Sequence, residues 1–267
     1  MLEIAILASG SSGNCALVRA GSGLERTTLV LDCGIAMRTA RDLAASQGCE
    51  LGAADGVLLT HHHSDHSAKV VPVAARARCP LWAHPDSLTT HPHTSAQERQ
   101  RRRIEDRAFE SGVWFEAGGI HCLPVRLSHD ARPTHGFVFE ADGMRAGFFT
   151  DLGTTDALDA AVLEGLDLLV LEANHDPAML RDGRYPPHLK RRVGGDEGHL
   201  SNAQTGALLA DRCPPGLKRL AVAHLSDHNN TPALAVAAAA EGLRARGLAG
   251  LEVELAPKRG VLRLAPA

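Results

Sequence analysis

The segment Thr60-His61-His62-His63-Ser64-Asp65-His66 constrains this chain more than any other part of its sequence. It directly follows Val57-Leu58-Leu59, an apolar run typical of a buried strand. Residues two apart in extended backbone project to the same side, so the imidazoles of His61 and His63 can reach one metal ion. The order of residues therefore indicates a metal site, and a solvated histidine-rich turn is the weaker interpretation.

Other candidate ligands complete a site for two metals. We expect the chain to turn into a helix near His66, which aims Asp65 and His66 at a neighbouring position, about 3.5–4 Å away if two metals bind. His129, Asp151 and His224 each follow a later strand-like segment. A surface His-Asp pair at His129 and a turn or helix-capping role for Asp151 are the alternatives. The predicted first group is His61, His63 and His129, and the second is Asp65, His66 and His224, with Asp151 between them.

The ligand chemistry predicts two divalent metal ions. Nitrogen and oxygen ligands without a thiolate fit Zn²⁺ or Mn²⁺. Water bridging two such ions has a pKa lowered to around 7, so a metal-bridging hydroxide is the predicted nucleophile. The six cysteines lie far apart without a CxxC pair, which argues against a zinc finger and against a disulfide framework.

The hydrophobic patterns predict an α/β protein. We expect one domain, 1–267, with two sheet-and-helix halves that join near 110–135. Polar clusters follow the strands, as expected for a site built at one end of layered sheets. Predicted strands lie near 2–8, 15–20, 27–33, 57–60, 80–84, 120–127, 135–140, 144–150, 168–173 and 218–225, and predicted helices near 36–47, 66–78, 155–164, 202–212 and 232–246.

Bulk composition excludes some classes of protein. The chain has 267 residues and a formal net charge of −3, so it is not a globally basic protein that coats nucleic acid. No apolar run approaches the roughly 20 residues that span a bilayer. The start of the chain lacks a basic n-region, so we expect a cytoplasmic protein with no membrane partner. The sequence leaves a homo-oligomer open.

Several motifs together resemble the WalJ (YycJ) family of metallo-β-lactamase-fold hydrolases, over about residues 3–245. The resemblance implies a four-layer αβ/βα sandwich of two mixed sheets flanked by helices. It also implies a 5′→3′ DNA exonuclease linked to DNA repair, whose repair partners are unknown, and it supports the seven ligands named above. RNase Z enzymes share the fold. The motifs are Ala8-Ser9-Gly10-Ser11-Ser12-Gly13-Asn14-Cys15, His61-x-His63-x-Asp65-His66, His129-Asp130, Thr150-Asp151-Leu152-Gly153, Leu171-Glu172-Ala173-Asn174-His175-Asp176, Gly198-His199-Leu200-Ser201-Asn202 and His224-Leu225-Ser226-x-x-Asn229-Asn230.

Three residues are predicted to be catalytic. By the same resemblance, His199 matches the RNase Z position expected to donate a proton rather than to bind metal. Glu172 is the candidate carboxylate that orients it, and Asp65 is counted as catalytic as well as metal-binding. A structural His199 that satisfies loop carbonyls is the alternative.

Two segments are candidates for substrate binding. The loop of Ser11, Ser12 and Asn14 has small residues whose backbone N–H groups suit a phosphate, although a tight turn explains it equally well. The basic stretch 181–192 is expected to grip the phosphate backbone of DNA through Lys190, Arg191 and Arg192. Aromatic residues make up only 3% of the chain, which argues against extensive base stacking.

Other assignments remain open at this point. His175 and Asp176 either orient a ligand or cap the next helix. The competing functions are an RNase Z-like RNA nuclease, a small-molecule hydrolase such as a lactonase, thioesterase or β-lactamase, and a non-catalytic metal-binding regulator. The remaining histidines of interest are predicted to be structural or exposed: His84, His91, His93, His121, His135 and His188.

Overall fold

The computed structural model describes residues 1–89 and 92–266. Within these ranges the strands are β1 (Glu3–Ala8), β2 (Cys15–Ala20), β3 (Thr27–Leu31), β4 (Gly56–Leu58), β5 (Leu81–Ala83), β6 (Asp106–Ala108), β7 (Phe115–Ala117), β8 (Ile120–Leu127), β9 (Thr134–Ala141), β10 (Met144–Phe149), β11 (Leu168–Glu172), β12 (Arg219–Ala223), β13 (Val253–Leu255) and β14 (Leu262–Leu264). The helices are α1 (Met37–Ser46), α2 (Ser64–Ser67), α3 (Val70–Ala77), α4 (Pro85–Thr89), α5 (Ala96–Arg101), α6 (Ala160–Leu163), α7 (Pro177–Asp182), α8 (Pro187–Val193), α9 (Asn202–Arg212) and α10 (Pro232–Ala245).

The strands form two mixed seven-stranded sheets. The first has the order β14-β1-β2-β3-β4-β5-β6 and the second β13-β12-β11-β10-β9-β8-β7. In each sheet one part is parallel, β3 to β6 and β10 to β13, and the other part is antiparallel. The chain passes from the first sheet to the second between β6 and β7, close to the start of the predicted join, and β14 returns to the first sheet.

Three apolar layers hold the sheets and helices together. The central layer joins the inner faces of the two sheets, with Leu29 and Leu58 from the first and Phe137 and Val170 from the second. One outer layer packs α1 and α3 on the first sheet, and the other packs α9 and α10 on the second. This arrangement is the predicted four-layer αβ/βα sandwich.

The predicted strands are confirmed, each within two residues at either end. The four strands that were not predicted are β6, β7, β13 and β14, which are three residues long and form the outer edges of the sheets. Edge strands this short bury few side chains, so they leave little hydrophobic pattern to read. β6, for example, is exposed along its whole length.

Two helix predictions were wrong in extent. The predicted helix 66–78 is divided into α2 and α3 at Lys69, whose N–H bonds to Cys33 O at 2.7 Å instead of continuing the helix. The predicted helix 155–164 is reduced to α6, which begins only after Asp159 caps it. Neither α7 nor α8 was predicted. Within 1–89 and 92–266, the helices are all too short or too polar to cross a membrane.

Candidate metal centre and active site

The predicted ligands meet where strands from both sheets end. The segment 61–66 follows β4 of the first sheet, and the ligands that follow β8, β10 and β12 come from the second. These three strands run in the same direction, so their carboxyl ends share one edge of the sheet.

The first predicted group, His61, His63 and His129, comes together with its ligand atoms within 4.8 Å of one another. Uncharged oxygens position two of the rings. The hydroxyl of Thr60 lies 3.0 Å from His61 Nδ1, and the carbonyl of Gly198 lies 2.9 Å from His129 Nδ1. We call this set the histidine group.

The second predicted group, Asp65, His66 and His224, is equally compact. Here buried carboxylates position the rings. Asp32 Oδ2 lies 2.7 Å from His66 Nδ1, and Glu172 Oε1 lies 2.8 Å from His224 Nδ1. We call this set the mixed group.

Asp151 lies between the two groups, as predicted. Its Oδ2 is 3.4 Å from His66 Nε2, while its Oδ1 is 3.5 Å from His224 Nε2 and 3.9 Å from His129 Nε2. Asp151 and His224 both have left-handed backbone, with φ of 64° and 58°. Such strained positions in non-glycine residues cluster at functional sites.

The buried polar atoms at the centre fit divalent cations. His61, His66, His129 and His224 each have Nδ1 engaged with an oxygen, which leaves a lone pair on Nε2 of the neutral ring. Among the described residues, His61 Nε2, His224 Nε2 and Asp151 Oδ2 are buried without a hydrogen-bond partner. Buried acceptors that converge without donors are costly, and a cation between them removes that cost.

The two groups differ in protonation when no metal is present. Burial alone would lower the pKa of His66 and of His224, but nearby carboxylates, Asp151 foremost, outweigh burial and raise these values to about 10 and about 9. In the histidine group burial dominates. It lowers the pKa of His63 to about 4 and that of His61 well below its ordinary value, and neighbouring imidazoles add to both shifts.

Glu172 links the mixed group to His199. Its Oε1 accepts from His224 and lies 2.8 Å from His199 Nδ1, and its Oε2 accepts from the backbone N–H groups of Leu152 and Leu200. Burial would raise the pKa of Glu172, but His199 and His224 outweigh it and lower the pKa to about 2. The carboxylate therefore stays charged, and the predicted pairing of Glu172 with His199 is present.

A cleft of about 250 Å³ opens over both groups. Ligands and His199 form its floor, and Ser11 and Ser226 lie on its rim. Residues of α8 and the preceding turn form the facing wall, namely Tyr185, Leu189, Arg192 and Val193.

The predicted substrate-binding residues are placed unequally. Ser11 lines the cleft, whereas Ser12 is exposed beside it. Asn14 is buried, and its Nδ2 lies 2.8 Å from His66 Nε2 and 3.3 Å from Asp65 Oδ2, so it contacts two predicted ligands.

The three basic residues predicted to bind DNA also differ in their position relative to the cleft. Arg192 lines the cleft and donates from Nε to Asp130. Lys190 donates to Arg181 O at 2.7 Å, and Arg191 is exposed outside the lining of this cleft. A role in substrate binding remains a prediction for all of these residues.

The sequence alone did not indicate Asp32 and Thr60, which hold the imidazoles of predicted ligands in place. Asp32 follows a buried strand and precedes Gly34 by two residues, the same signal that singled out Asp151 before Gly153. Thr60 donates to Asp32 Oδ2 at 2.8 Å from its hydroxyl and also from its backbone N–H, at 2.9 Å to Oδ1. Only the spatial arrangement shows that these two residues act together.

The structure decides part of what the sequence left open for Asp176 and for the remaining histidines. Asp176 caps α7 by accepting from Met179 N at 2.8 Å, and His175 is buried beside it. Of the histidines predicted to be structural or exposed, His135 is fully buried. His91 lies outside the described residues.

Comparison with known proteins agrees with this geometry. A family model described as a beta-lactamase superfamily domain matches residues 27–224. The metallo-β-lactamase-fold protein YhfI from Bacillus subtilis superposes with a TM-score of 0.69 over 98% of this chain and 99% of its own, at 16% identity. Fold and site thus define a hydrolase of the metallo-β-lactamase superfamily.

Sequence relatives narrow the class. The chain is 29% identical to exodeoxyribonuclease YycJ of Bacillus anthracis over 92% of this chain and 90% of the relative. It is 30% identical to exodeoxyribonuclease WalJ of Streptococcus pneumoniae over 87% and 85%. A ribonuclease Z of Mycobacterium bovis is 28% identical over 64% of this chain and 69% of its own. The chain belongs to the WalJ/YycJ family of this superfamily.

Proposed function

We propose that this protein is a dinuclear-metal phosphodiesterase that removes nucleotides from the 5′ end of DNA, in DNA repair. The observation that carries the proposal is the pairing of His199 with the buried carboxylate of Glu172, at the floor of a cleft shared by both metal-binding groups. A non-catalytic metal-binding regulator needs no such spare acid beside its ligands. The names of the WalJ and YycJ relatives supply the choice of DNA and of an exonuclease.

The two cations would be held by the histidine group and the mixed group, with Asp151 between them. When bound, they supply a water activated at neutral pH and neutralise charge on a phosphate. Asp32 and Glu172 fix the orientation of the imidazoles that hold them, because each accepts a hydrogen bond from the Nδ1 of a ligand ring.

His199 would serve as the general acid. Its Nδ1 donates to Glu172, so the protonated ring carries its second proton on Nε2. The negative carboxylate stabilises the imidazolium and holds that proton ready for the leaving oxygen. Partial exposure of His199, 18% of its side chain, gives the leaving group access to it.

The cleft favours a strand end over a duplex. Its volume of about 250 Å³ is below the roughly 300–1,000 Å³ of sites for drug-sized ligands, so it accepts part of a single strand rather than a whole duplex. Tyr185, Leu189 and Val193 give it an apolar wall against which a base can lie, and Arg192 adds a cation for the phosphate backbone.

Digestion of 5′-labelled and 3′-labelled duplex DNA by protein loaded with Mn²⁺ or with Zn²⁺ tests the proposal. We expect stepwise release of nucleotides from the 5′ end, and none with Asp65→Ala. Release from the 3′ end only, or equal activity in the variant, would contradict the proposal.

An RNase Z-like RNA nuclease is the second candidate, supported by the similarity to ribonuclease Z. A tRNA precursor with a 3′ extension, digested alongside the DNA, separates the two. Cleavage of the RNA but of neither DNA label would favour this candidate.

A further inference from the structure

Asp130 is an acidic residue at the centre that none of the predicted roles explains. It follows His129 in the loop between β8 and β9, and its side chain is 27% exposed. Its carboxylate nevertheless has one inward oxygen. Oδ1 is buried and has no hydrogen-bond partner among the described residues.

That oxygen faces two members of the histidine group. Asp130 Oδ1 lies 3.4 Å from His63 Nε2 and 3.4 Å from His129 Nε2. Zinc–ligand bonds of 2.0–2.1 Å at tetrahedral angles place neighbouring ligand atoms about 3.4 Å apart. The spacing between Asp130 Oδ1 and these two nitrogens is therefore that of neighbouring ligands around one ion.

A hydrogen bond to the histidines does not account for this contact. His129 donates from Nδ1 to the carbonyl of Gly198, which leaves a lone pair on Nε2 of the neutral ring. A carboxylate oxygen and a nitrogen lone pair repel each other at this distance. A cation between them turns the repulsion into attraction on both sides.

The other carboxylate oxygen is fixed from outside. Arg192 on α8 donates from Nε to Asp130 Oδ2. This contact limits rotation of the carboxylate and keeps Oδ1 turned toward the histidines. The histidine group otherwise contributes three uncharged imidazoles, so Asp130 would add the negative charge that a divalent cation favours.

We propose that Asp130 is an additional ligand for the cation held by His61, His63 and His129, and that Arg192 is the positioning residue that keeps it in place. The inference rests on the proposed dinuclear centre but not on the choice of DNA as substrate. It gives the cation at the histidine group three nitrogens and one carboxylate of its own, in addition to Asp151.

Calorimetric titration of the metal-free protein with Zn²⁺ tests the assignment without any need for turnover. Asp130→Asn keeps the shape of the side chain and removes its charge. We expect it to weaken one of the two cations at least about tenfold and leave the other near its original affinity. Arg192→Ala should weaken the same cation by a smaller factor.

Asp182→Asn is the matched control. Asp182 pairs with Arg181, both residues lie on α7, and Asp182 belongs to neither the histidine group nor the mixed group. Visible absorption of the Co²⁺-loaded proteins should change for Asp130→Asn and not for the control. Wild-type affinities together with a wild-type Co²⁺ spectrum in Asp130→Asn would overturn the proposal and leave Asp130 only as the partner of Arg192. Digestion assays of the wild type decide the substrate separately, so failure of the exonuclease proposal does not count as failure of this one.

Discussion

The histidine group and the mixed group lie side by side, yet the protein prepares them in opposite ways. Uncharged oxygens of Thr60 and Gly198 orient the rings of the histidine group. Buried carboxylates of Asp32 and Glu172 orient those of the mixed group. A carboxylate makes the imidazole that it contacts more basic. The imidazole then binds both a cation and a proton more tightly. Proximity alone therefore does not make the two groups equivalent.

The largest expected effect concerns His199, one of the two imidazoles that contact the buried carboxylate of Glu172. Glu172 contacts His224, a predicted ligand, and His199, a predicted acid. His199→Ala should lower kcat about 10²–10⁴-fold, because proton transfer to the leaving oxygen is lost. Metal content, measured by elemental analysis, should stay near two per chain. A drop to one metal ion per chain would instead make His199 a metal ligand, as His224 is predicted to be.

The next effect separates the two ways of orienting a ring. Asp32→Asn removes the charge behind His66 and should weaken one of the two cations about 10–100-fold. Asp55→Asn is a suitable control, since Asp55 accepts from Thr28 N in the same sheet, away from the site. Because Asp32 also accepts from Thr60, whose hydroxyl contacts His61, we expect a smaller loss for the other cation. Calorimetry measures both affinities, and equal losses would contradict the difference between the two groups.

His135 tests the effect of burial outside the metal centre. Burial, with His84 adding to it, lowers its pKa to about 4. In the unfolded chain His135 binds a proton as the pH falls below about 6.5, whereas in the folded chain it stays neutral down to about pH 4. Folding stability is therefore lost between about pH 6.5 and pH 4. In metal-free protein we expect His135→Phe to reduce the loss between pH 7 and pH 5 by about 1–2 kcal/mol. Urea unfolding at both pH values measures it, and an identical loss in variant and wild type would contradict the assignment.

The smallest expected effect concerns the wall of the cleft. Arg192 lines the cleft and its neighbour Arg191 does not. Arg192→Ala should reduce the slope of log affinity for DNA against log salt by about one, and Arg191→Ala by less. Fluorescence anisotropy of a labelled oligonucleotide at several salt concentrations measures both slopes. A larger change for Arg191 would show that the DNA backbone does not run along this side of the cleft.

The strands that carry the site could be predicted from the sequence because β4, β8, β10 and β12 are mostly buried and are followed within two residues by polar side chains. The edge strands could not be predicted, since their burial is slight. The role of Asp32 could not be predicted either, since nothing in one sequence says that this carboxylate meets His66, which lies 34 positions away. The roles of Asn14 and Arg192 depend on side-chain direction, which spacing along the chain does not encode.

Titration of metal-free protein with Zn²⁺ at pH 6 and at pH 8 tests the inequality of the two groups most directly. Cation binding to the mixed group must displace protons from His66 and His224, whose pKa values are raised to about 10 and about 9. The histidine group has lowered pKa values and releases few protons in this range. We expect two cations, one bound at least about 100-fold more tightly at pH 8 than at pH 6 and the other changed less than about tenfold. A single cation, or two with the same pH dependence, would contradict the account.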